Sequence, residues 1–411
     1  MALLESPRLP LPGPLRMLRA GSRHNLVNGA IGMLFAGTGP MVILLKAATD
    51  GGLSAADINS YVFAAFAIGG TLTILASIAY RQPIAIMWTI PGAVLAGAAL
   101  DHLSLPQVLG ACFVSGLIML ALGLSGGVRR LMAALPLPIV MGMVAGVFLP
   151  FGLGVIAAFE SIFAMALAML AAFIACQRIP AIGRIFPPVL AALLAGTAVL
   201  ALGDKAILDG SLTFAFARPQ IYIPEFSWQA IAELAIPLTV TVVGIHNAQG
   251  FVILQQAKYD PPQNVLTAIC GGGTLLFGLF GSVPTCVTGP ANAILNTSGP
   301  LPERYLSGVV FGLIAIAYGL CAPLMVSLGL ALPTAFIAML GGLAMLQVLQ
   351  GAFVTAFSGR FTLGALTAFV VTLSGLSIAN IGAPFWGLVF GVAMSLALEM
   401  KDFRALKAER I

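Results

Sequence analysis

Two short segments of this chain, residues 84–92 and 283–292, place hydroxyl, amide and aromatic side chains within otherwise apolar sequence. Each contains a Thr-x-Pro triplet, Thr89-Ile90-Pro91 in the first and Thr288-Gly289-Pro290 in the second. Proline is favoured in the first turn of a helix, because the amide hydrogen that it lacks has no partner there. We therefore expect an extended piece before each proline and a short helix after it. Paired interruptions of this kind in two halves of a chain indicate the binding site of a secondary transporter.

Two helices that begin near the middle of a membrane would direct their N-terminal amide hydrogens into one pocket, which favours an anion. One helix end contributes about 0.3–1 kcal/mol, so side-chain donors must add to it before a carboxylate is held. The competing interpretation is a pair of proline kinks, with Trp88 in the core and each threonine bonded to its own backbone. The substrate-binding residues predicted from these segments are Trp88, Thr89, Pro91, Gly92, Thr285, Thr288, Gly289 and Asn292.

A third group of polar residues, His246, Asn247 and Gln249, lies in an apolar stretch that is long enough to cross a membrane. Polar and ionisable residues are costly there, which makes these three candidates for substrate binding. The alternative is a hydrogen-bonded contact between helices. We find no Asp or Glu in the middle of any predicted span, and Glu233 lies near a helix end, so a carboxylate proton relay is not expected. His246 is then the candidate proton-coupling group, unless the substrate carries its own proton as a neutral acid.

The composition requires a membrane for these segments. A typical soluble domain is about 45–50% apolar and about 25% charged, whereas this chain is 60% apolar and 8% charged. We predict an all-α polytopic membrane protein with fourteen spans, of which the third and tenth are too short to cross as plain helices. The predicted spans are 26–45, 58–80, 84–100, 105–124, 132–150, 155–176, 186–202, 230–254, 264–281, 284–298, 304–328, 332–352, 360–378 and 383–400.

The basic residues predict the orientation, because cytoplasmic loops carry the excess of Lys and Arg. With fourteen spans and both termini in the cytoplasm, all but Lys46, Lys205 and Arg218 of the nineteen Lys and Arg fall on the cytoplasmic side. The N-terminal stretch has no continuous apolar region, so no cleaved signal peptide is expected. The longest outside loop, 203–228, has strand-like content over Leu212–Ile223.

The two halves of the chain repeat one another. Ala134-Leu135-Pro136 opens the fifth predicted span, and Ala331-Leu332-Pro333 opens the twelfth. Seven spans in a half is an odd number, so the second half must enter the membrane from the opposite side as an inverted repeat. The predicted organisation is a cytoplasmic tail 1–24, a first repeat 25–202, the extracytoplasmic loop 203–228, a second repeat 229–400 and a cytoplasmic tail 401–411.

Other functional classes lack support. The five cysteines have neither metal-ligand nor disulfide spacing, and we find no nucleotide-binding loop, nucleophile elbow or metal motif, so no cofactor is expected. The net charge of +5 gives no indication of a nucleic-acid partner. The Gly271-Gly272-Gly273 run lies inside the ninth span and indicates close helix packing. A membrane-embedded enzyme would need a nucleophile–base pair or a metal cluster, and neither is present.

At these residues the chain resembles the benzoate–proton symporter family of bacterial inner membranes. The resemblance covers nearly the whole chain and is carried by Arg81–Ala93, Ala331–Pro333, Met339–Ala344, Ser374–Leu376 and Ile381–Gly387. That family is similar in fold to uracil, xanthine and sulfate-type transporters. The resemblance implies a core domain (segments 1–4 and 8–11), a gate domain (segments 5–7 and 12–14), an assembly that is often a homodimer, and substrate between segments three, eight and ten.

The sequence departs from the family pattern in two places. Segment eight reads Ile245-His246-Asn247-Ala248-Gln249-Gly250 where the family usually has Ser-Gln-Asn-x-Pro-Gly, and segment ten has Thr288-Gly289-Pro290 where smaller apolar residues are common. Nucleobase relatives carry an essential glutamate in segment eight, and no residue matches it here. We therefore predict uptake of a small aromatic carboxylate such as benzoate by proton symport with alternating access. A nucleobase or other organic-anion transporter of the same fold and an uncoupled facilitator are the alternatives.

Overall fold

The computed structural model describes residues 4–7, 10–13, 15, 17, 20–128, 136–179, 188–202, 214–296, 299–376, 378 and 383–408. The basic residues Arg129, Arg130 and Arg184, the pair Ala134-Leu135 and part of the 203–228 loop lie outside the described residues. Within the described part, seven helices are long and apolar enough to cross a membrane, and six apolar helices are shorter.

In the described part of the first half of the chain, eight helices and one short strand have defined bounds. They are α1 (Arg23–Gly37), α2 (Gly39–Asp50), α3 (Ala55–Tyr80), β1 (Ile86–Trp88), α4 (Ile90–Ala99), α5 (Leu105–Leu124), α6 (Leu137–Ser161), α7 (Phe163–Arg178) and α8 (Pro188–Leu202).

The described residues of the second half form nine helices, a second short strand and a 3₁₀ turn (Leu301–Glu303). They are α9 (Trp228–Gln256), α10 (Gln263–Leu279), β2 (Thr285–Val287), α11 (Gly289–Leu295), α12 (Tyr305–Leu320), α13 (Ala322–Leu330), α14 (Thr334–Phe357), α15 (Thr362–Leu373), α16 (Ala383–Leu398) and α17 (Met400–Ala408).

Several boundaries differ from the predicted spans. The predicted break at 151–154 is wrong, because α6 continues through Pro150 and the chain leaves the helix only at Ile162. A proline inside a membrane helix is tolerated when neighbouring groups satisfy the freed backbone. The first predicted span is divided at Thr38, and the eleventh at Cys321. The stretch Leu212–Ile223, which has strand-like content, has no regular secondary structure in its described part, 214–223.

The two predicted interruptions are extended, and they pair with each other. β1 and β2 form an antiparallel ladder in which Met87 lies opposite Cys286 and Trp88 lies opposite Thr285. The ladder is continued on both sides, because the Thr89 amide donates to the Pro284 carbonyl (2.9 Å) and the Thr288 amide donates to the Ala85 carbonyl (3.0 Å). All residues of both strands are buried. A short helix, α4 or α11, follows each strand.

The helices pack in two groups. In one, α5 packs along α10, and α12 packs against both α1 and α3. In the other, α6 packs along α14 and α15, α15 packs along α16, and α7 packs along α8. The groups meet where α2 contacts α14 and where α4 contacts α6. The β1–β2 ladder belongs to the first group, and its helix-forming ends lie near this boundary.

Residues 214–227 form an extended strap across the ends of helices in the first group. The amide hydrogens of Ala217, Tyr222 and Glu225 donate to the carbonyls of Leu320, Leu279 and Pro106, at 2.8, 2.8 and 2.9 Å. The Tyr222 hydroxyl also donates to the Asp57 carboxylate. Burial and the adjacent Asp57 carboxylate raise the pKa of Tyr222, so this phenol keeps its proton at neutral pH. The strap therefore joins the ends of α3, α5, α10 and α12.

Close packing between α5 and α10 confirms what the glycine run indicated. A Cβ added at Gly271 would lie 2.4 Å from the Leu120 amide nitrogen, whereas a Cβ at Gly272 would meet nothing within 4 Å. We expect Gly271→Ala to cost about 1–3 kcal/mol through overpacking, measured as a lower thermal unfolding temperature in detergent. Gly272→Ala is the matched control and should unfold at or above the wild-type temperature, because alanine is the better helix former. Equal unfolding temperatures for the two variants would contradict the packing.

Candidate substrate site

A cavity of about 660 Å³ lies between the two groups of helices. Its wall is formed by α1, α2, β1, α4, α6, α9, β2, α11 and α14. Most of its side chains are apolar, including Phe35, Met87, Trp88, Phe148 and Met345. None of the described residues that line it is charged, and its polar side chains are His246, Gln249, Gln256, Thr288, Gln347 and Thr355.

Three helices begin at this cavity, and each begins with a Thr-x-Pro triplet. Thr89 is the N-cap of α4 and Thr288 is the N-cap of α11, and both are extended. Thr38 is the N-cap of α2, but it follows α1 directly, and its hydroxyl donates to the Leu34 carbonyl (2.8 Å). The prolines of all three triplets, Pro40, Pro91 and Pro290, line the cavity. The first break was not predicted, although Thr38-Gly39-Pro40 repeats the letters of Thr288-Gly289-Pro290.

Thr89 connects the start of α4 to the candidate histidine. Its hydroxyl accepts a hydrogen bond from the Gly92 amide (3.3 Å) and lies 3.1 Å from Nδ1 of His246. Thr89 is fully buried and does not line the cavity, and Gly92 does not line it either. His246 does line it. The threonine therefore fixes one ring nitrogen of a histidine that faces the cavity.

Three of the predicted site residues are bonded to backbone rather than directed at the cavity. The Asn247 carboxamide oxygen accepts from the Val287 amide (2.8 Å), and the Asn292 carboxamide oxygen accepts from the Ala85 amide (2.7 Å). The Thr285 hydroxyl donates to the Cys270 carbonyl (2.6 Å). Each of the three side chains is fully buried. They hold the β1–β2 ladder in place and leave it no unpaired amide at these positions.

Trp88 and Thr288 supply hydrogen-bond donors that have no protein partner. Trp88 is only 3% exposed, and its ring packs 4.5 Å from the ring of Phe66, centroid to centroid. Its indole Nε1–H and the Thr288 hydroxyl are buried and without a hydrogen-bond partner among the described atoms. An unsatisfied buried donor costs about 1–3 kcal/mol. Both residues line the cavity, but solvent in it does not reach these two donor atoms, so a bound oxygen acceptor would remove that cost once the side chains turn toward the cavity.

Gln249 lies over the start of α11. A Cβ at Gly289 would come within 2.6 Å of the Gln249 side-chain amide carbon, so only glycine lets the glutamine adopt this position. Gln249 is exposed and lines the cavity, whereas Gly289 is buried and does not. The structure thus places five predicted site residues in the cavity wall: Trp88, Pro91, His246, Gln249 and Thr288.

Comparison with known proteins gives a consistent family match. The family model described as "Benzoate membrane transport protein" matches residues 21–397. The chain is 28% identical over 379 residues to "Inner membrane protein YdcO" of Escherichia coli strain K12, with 91% of this chain and 96% of the relative covered. It is also 28% identical over 375 residues to "Benzoate membrane transport protein" of Acinetobacter baylyi, with 89% and 93% covered.

Solved structures of similar fold are anion transporters of low sequence identity. The transmembrane domain of the cyanobacterial bicarbonate transporter BicA matches with a TM-score of 0.56 at 16% identity, covering 93% of this chain and 99% of that domain. Murine Slc26a9, an anion transporter solved in its inward-facing state, matches with a TM-score of 0.60 at 15% identity, covering 92% of this chain and 68% of that one. These likenesses concern the fold alone.

The positions of Asn247 and Gln249 on α9 predict different effects of truncation. Asn247→Ala would leave the buried Val287 amide without an acceptor, at a cost of about 1–3 kcal/mol. We expect a lower thermal unfolding temperature for the purified variant. Gln249→Ala is the matched control two residues away and should unfold at the wild-type temperature, because its side chain faces the cavity. A wild-type unfolding temperature for Asn247→Ala would exclude the proposed support of β2.

Proposed function

Because this chain belongs to the family of benzoate membrane transport proteins, we propose that it takes up a small aromatic carboxylate, benzoate or a close relative, by proton symport. Family membership makes it a multi-pass membrane transporter and not an enzyme. The observation that carries the proposal is an apolar cavity with no charged side chain among its described lining residues, whose wall includes Trp88 and Thr288, each of which has a buried donor without a partner.

The carboxylate end of the substrate would face the starts of α4 and α11. A hydrogen bond to a charged group contributes about 1.5–3 kcal/mol, and a helix end adds about 0.3–1 kcal/mol. The α4 end is the stronger of the two, because α11 has only seven residues. Dehydration of a carboxylate costs several kcal/mol, so two donors and one helix end offset it only together. Gln249 and His246 would complete the polar side of the site.

The apolar side chains of the cavity wall favour the binding of an aromatic substrate. Met87 and Trp88 from β1, Phe148 from α6 and Met345 from α14 line the cavity. Methionine makes favourable contacts with aromatic rings, and buried aromatic pairs prefer offset or edge-to-face arrangements. A flat ring would be covered by these side chains, while a small hydrophilic anion would gain nothing from them. We therefore favour an aromatic acid over an inorganic anion.

The transport cycle would move the two helix groups against each other. In this proposal the core contains α1–α5 and α9–α13, the gate contains α6–α8 and α14–α16, and each half of the chain contributes one of two inverted seven-span repeats. The two separately packed helix groups support this division. The cavity follows α9 from Gly244 to Gln256 and α14 from Met345 to Thr355. These ends precede Lys258 and Arg360, on the side that the basic residues predict to be cytoplasmic, so we infer an inward-open state.

The remaining features of the proposal follow from the same family. We place the protein in the inner membrane with both termini in the cytoplasm, and we propose a homodimer as its assembly. A nucleobase transporter is the nearest alternative, but no carboxylate lines the described cavity to bind the ring nitrogens of a base. An uncoupled facilitator would have the same architecture and differs only in how it responds to a gradient.

Uptake of labelled benzoate into proteoliposomes tests the proposal. We expect accumulation above the equilibrium level when the pH gradient is directed inward, because a coupled proton drives the substrate uphill. His246→Gln should still fold and bind substrate, and it should change the pH dependence of uptake if the ring at the cavity wall carries the proton.

Three results would count against separate parts of the proposal. Equilibration without accumulation would remove the proton coupling and leave a facilitator. Competition by uracil or xanthine, but not by benzoate, would replace the substrate class. An unchanged pH profile in His246→Gln would reduce His246 to a packing role beside Thr89.

The unpartnered indole donor predicts a specific loss in Trp88→Phe. The phenyl ring keeps the contact with Phe66, but the Nε1–H is removed, so benzoate affinity should fall roughly tenfold to a hundredfold, the equivalent of about 1.5–3 kcal/mol. Equilibrium binding of labelled benzoate to purified protein measures this. Trp228→Phe is the matched control, since Trp228 is largely exposed and lies outside the cavity lining. Unchanged affinity in Trp88→Phe would exclude the indole as a substrate donor.

A further inference from the structure

Glu233 is a buried carboxylate that was not among the predicted site residues. It is 6% exposed, and it is the only charged side chain among the buried residues of the described part of the chain. It lies in α9 within Ile231–Ala235, a wide π-helical turn near the start of that helix. A carboxylate in a membrane span is costly unless it is paired or used.

The partner of Glu233 is His102, in the turn between α4 and α5. Nε2 of His102 lies 3.0 Å from Oε2 of Glu233. The histidine side chain is 38% exposed, so one member of the pair is reached by solvent while the other is buried. The basic residues predict that this turn faces the outside of the cell. The pair therefore connects outer solvent with the interior of the helix group.

The same short helix, α4, is held to α9 at both of its ends. Before its first residue, Thr89 Oγ1 contacts Nδ1 of His246 at 3.1 Å. Beyond its last turn, His102 contacts Glu233. His246 lies in a second π-helical turn of α9, Val242–Asn247. Single π turns inside α-helices occur frequently at functional sites, and here each one presents an ionisable residue to α4.

We infer that His102 and Glu233 form the outer proton-binding site of the transporter and that its proton state positions α4 at the substrate cavity. This inference rests on the proposed proton symport. With a neutral histidine and an ionised glutamate the pair has a net charge of −1. One proton taken from outer solvent brings it to zero, either as imidazolium and carboxylate or as imidazole and carboxylic acid. Burial of a net charge is unfavourable, so the neutral pair favours a state closed to the outside.

The other ionisable groups near the pair do not replace either member. Of the helices packed against the start of α9, α16 has no ionisable side chain, α4 has none, and α5 has only the buried Cys112. Asp101 is adjacent to His102 and exposed, and Glu225 is exposed on the strap before α9. Because both carboxylates are exposed, neither offers a buried site for a proton.

The connection to the substrate follows from the geometry of α4. This helix has ten residues, or about 15 Å at 1.5 Å per residue, and it carries Pro91 in the cavity wall. A displacement of its outer end moves its inner end as a rigid unit. His102 and Glu233 are thus positioning residues that act on substrate through α4 and touch no part of the cavity lining.

Glu233→Gln tests the inference, since glutamine preserves shape and removes the proton site. Two assays on proteoliposomes separate substrate movement from proton coupling. The first measures exchange of labelled for unlabelled benzoate without a gradient, and the second measures accumulation driven by an inward proton gradient. We expect the ratio of gradient-driven accumulation to exchange to fall at least tenfold relative to wild type. Glu160→Gln is the matched control, an exposed carboxylate at the end of α6. Gradient-driven accumulation at the wild-type level in Glu233→Gln overturns the inference.

A second variant and a substrate-free measurement keep the two proposals separate. His102→Gln changes a partly exposed residue, and it should shift the dependence of accumulation on outer pH; a profile that superimposes on wild type overturns the inference. Unfolding temperature measured against pH without substrate should differ between wild type and Glu233→Gln but not between wild type and Glu160→Gln. Identical curves for all three proteins also overturn it. Absence of benzoate exchange by the wild type would instead overturn the proposed substrate, whatever the pH curves show.

Discussion

The requirement that no backbone polar group remain unpaired in a membrane determines the arrangement around the cavity. Two extended pieces lie inside the helix group, and an isolated extended strand would leave its amides and carbonyls unsatisfied. β1 and β2 solve this by pairing with each other. Side chains satisfy the polar groups at the edges of the ladder. The Thr73 hydroxyl accepts from the Ile86 amide and donates to the Ile86 carbonyl. The Asn247 side chain accepts from the Val287 amide, and the Asn292 side chain accepts from the Ala85 amide. Polar residues from helices far apart in the chain thereby support one small ladder.

The same requirement explains why so few polar groups remain for a ligand. Asn247, Thr285 and Asn292 are committed to backbone, and Thr89 is committed to Gly92 and His246. Among the described residues that line the cavity, the donors left without a partner are the Trp88 indole and the Thr288 hydroxyl, and Gln249 and His246 line the same wall. The other described residues around them are mostly apolar, and none is charged. The polarity of the site is therefore concentrated at the starts of α4 and α11.

Helix α9 connects the substrate cavity with the Glu233–His102 pair. Its wide turns at Ile231–Ala235 and Val242–Asn247 carry Glu233 and His246, and both side chains contact residues that flank α4. Between the two turns, α9 packs on α4 and α5. Helix α9 thus contacts the β1–β2 ladder and the cavity, and its Glu233 contacts His102 beyond the outer end of α4. A displacement at either wide turn of α9 would therefore move α4. Because α4 moves as a rigid helix, it would carry that displacement to the substrate site.

The sequence alone determined the features that depend on local chemistry. Apolar composition requires a membrane, and the proline of each Thr-x-Pro triplet favours a helix start, because a proline is tolerated in the first turn of a helix and cannot continue an upstream helix. The polar cluster on α9 was also evident. Only the tertiary structure decided which of those residues face the cavity: Asn247 and Gln249 are two positions apart, yet one bonds β2 and the other lines the wall. The pairing of Glu233 with His102 joins residues 131 positions apart. Contacts of that separation depend on how helices pack, and local residue patterns do not encode them.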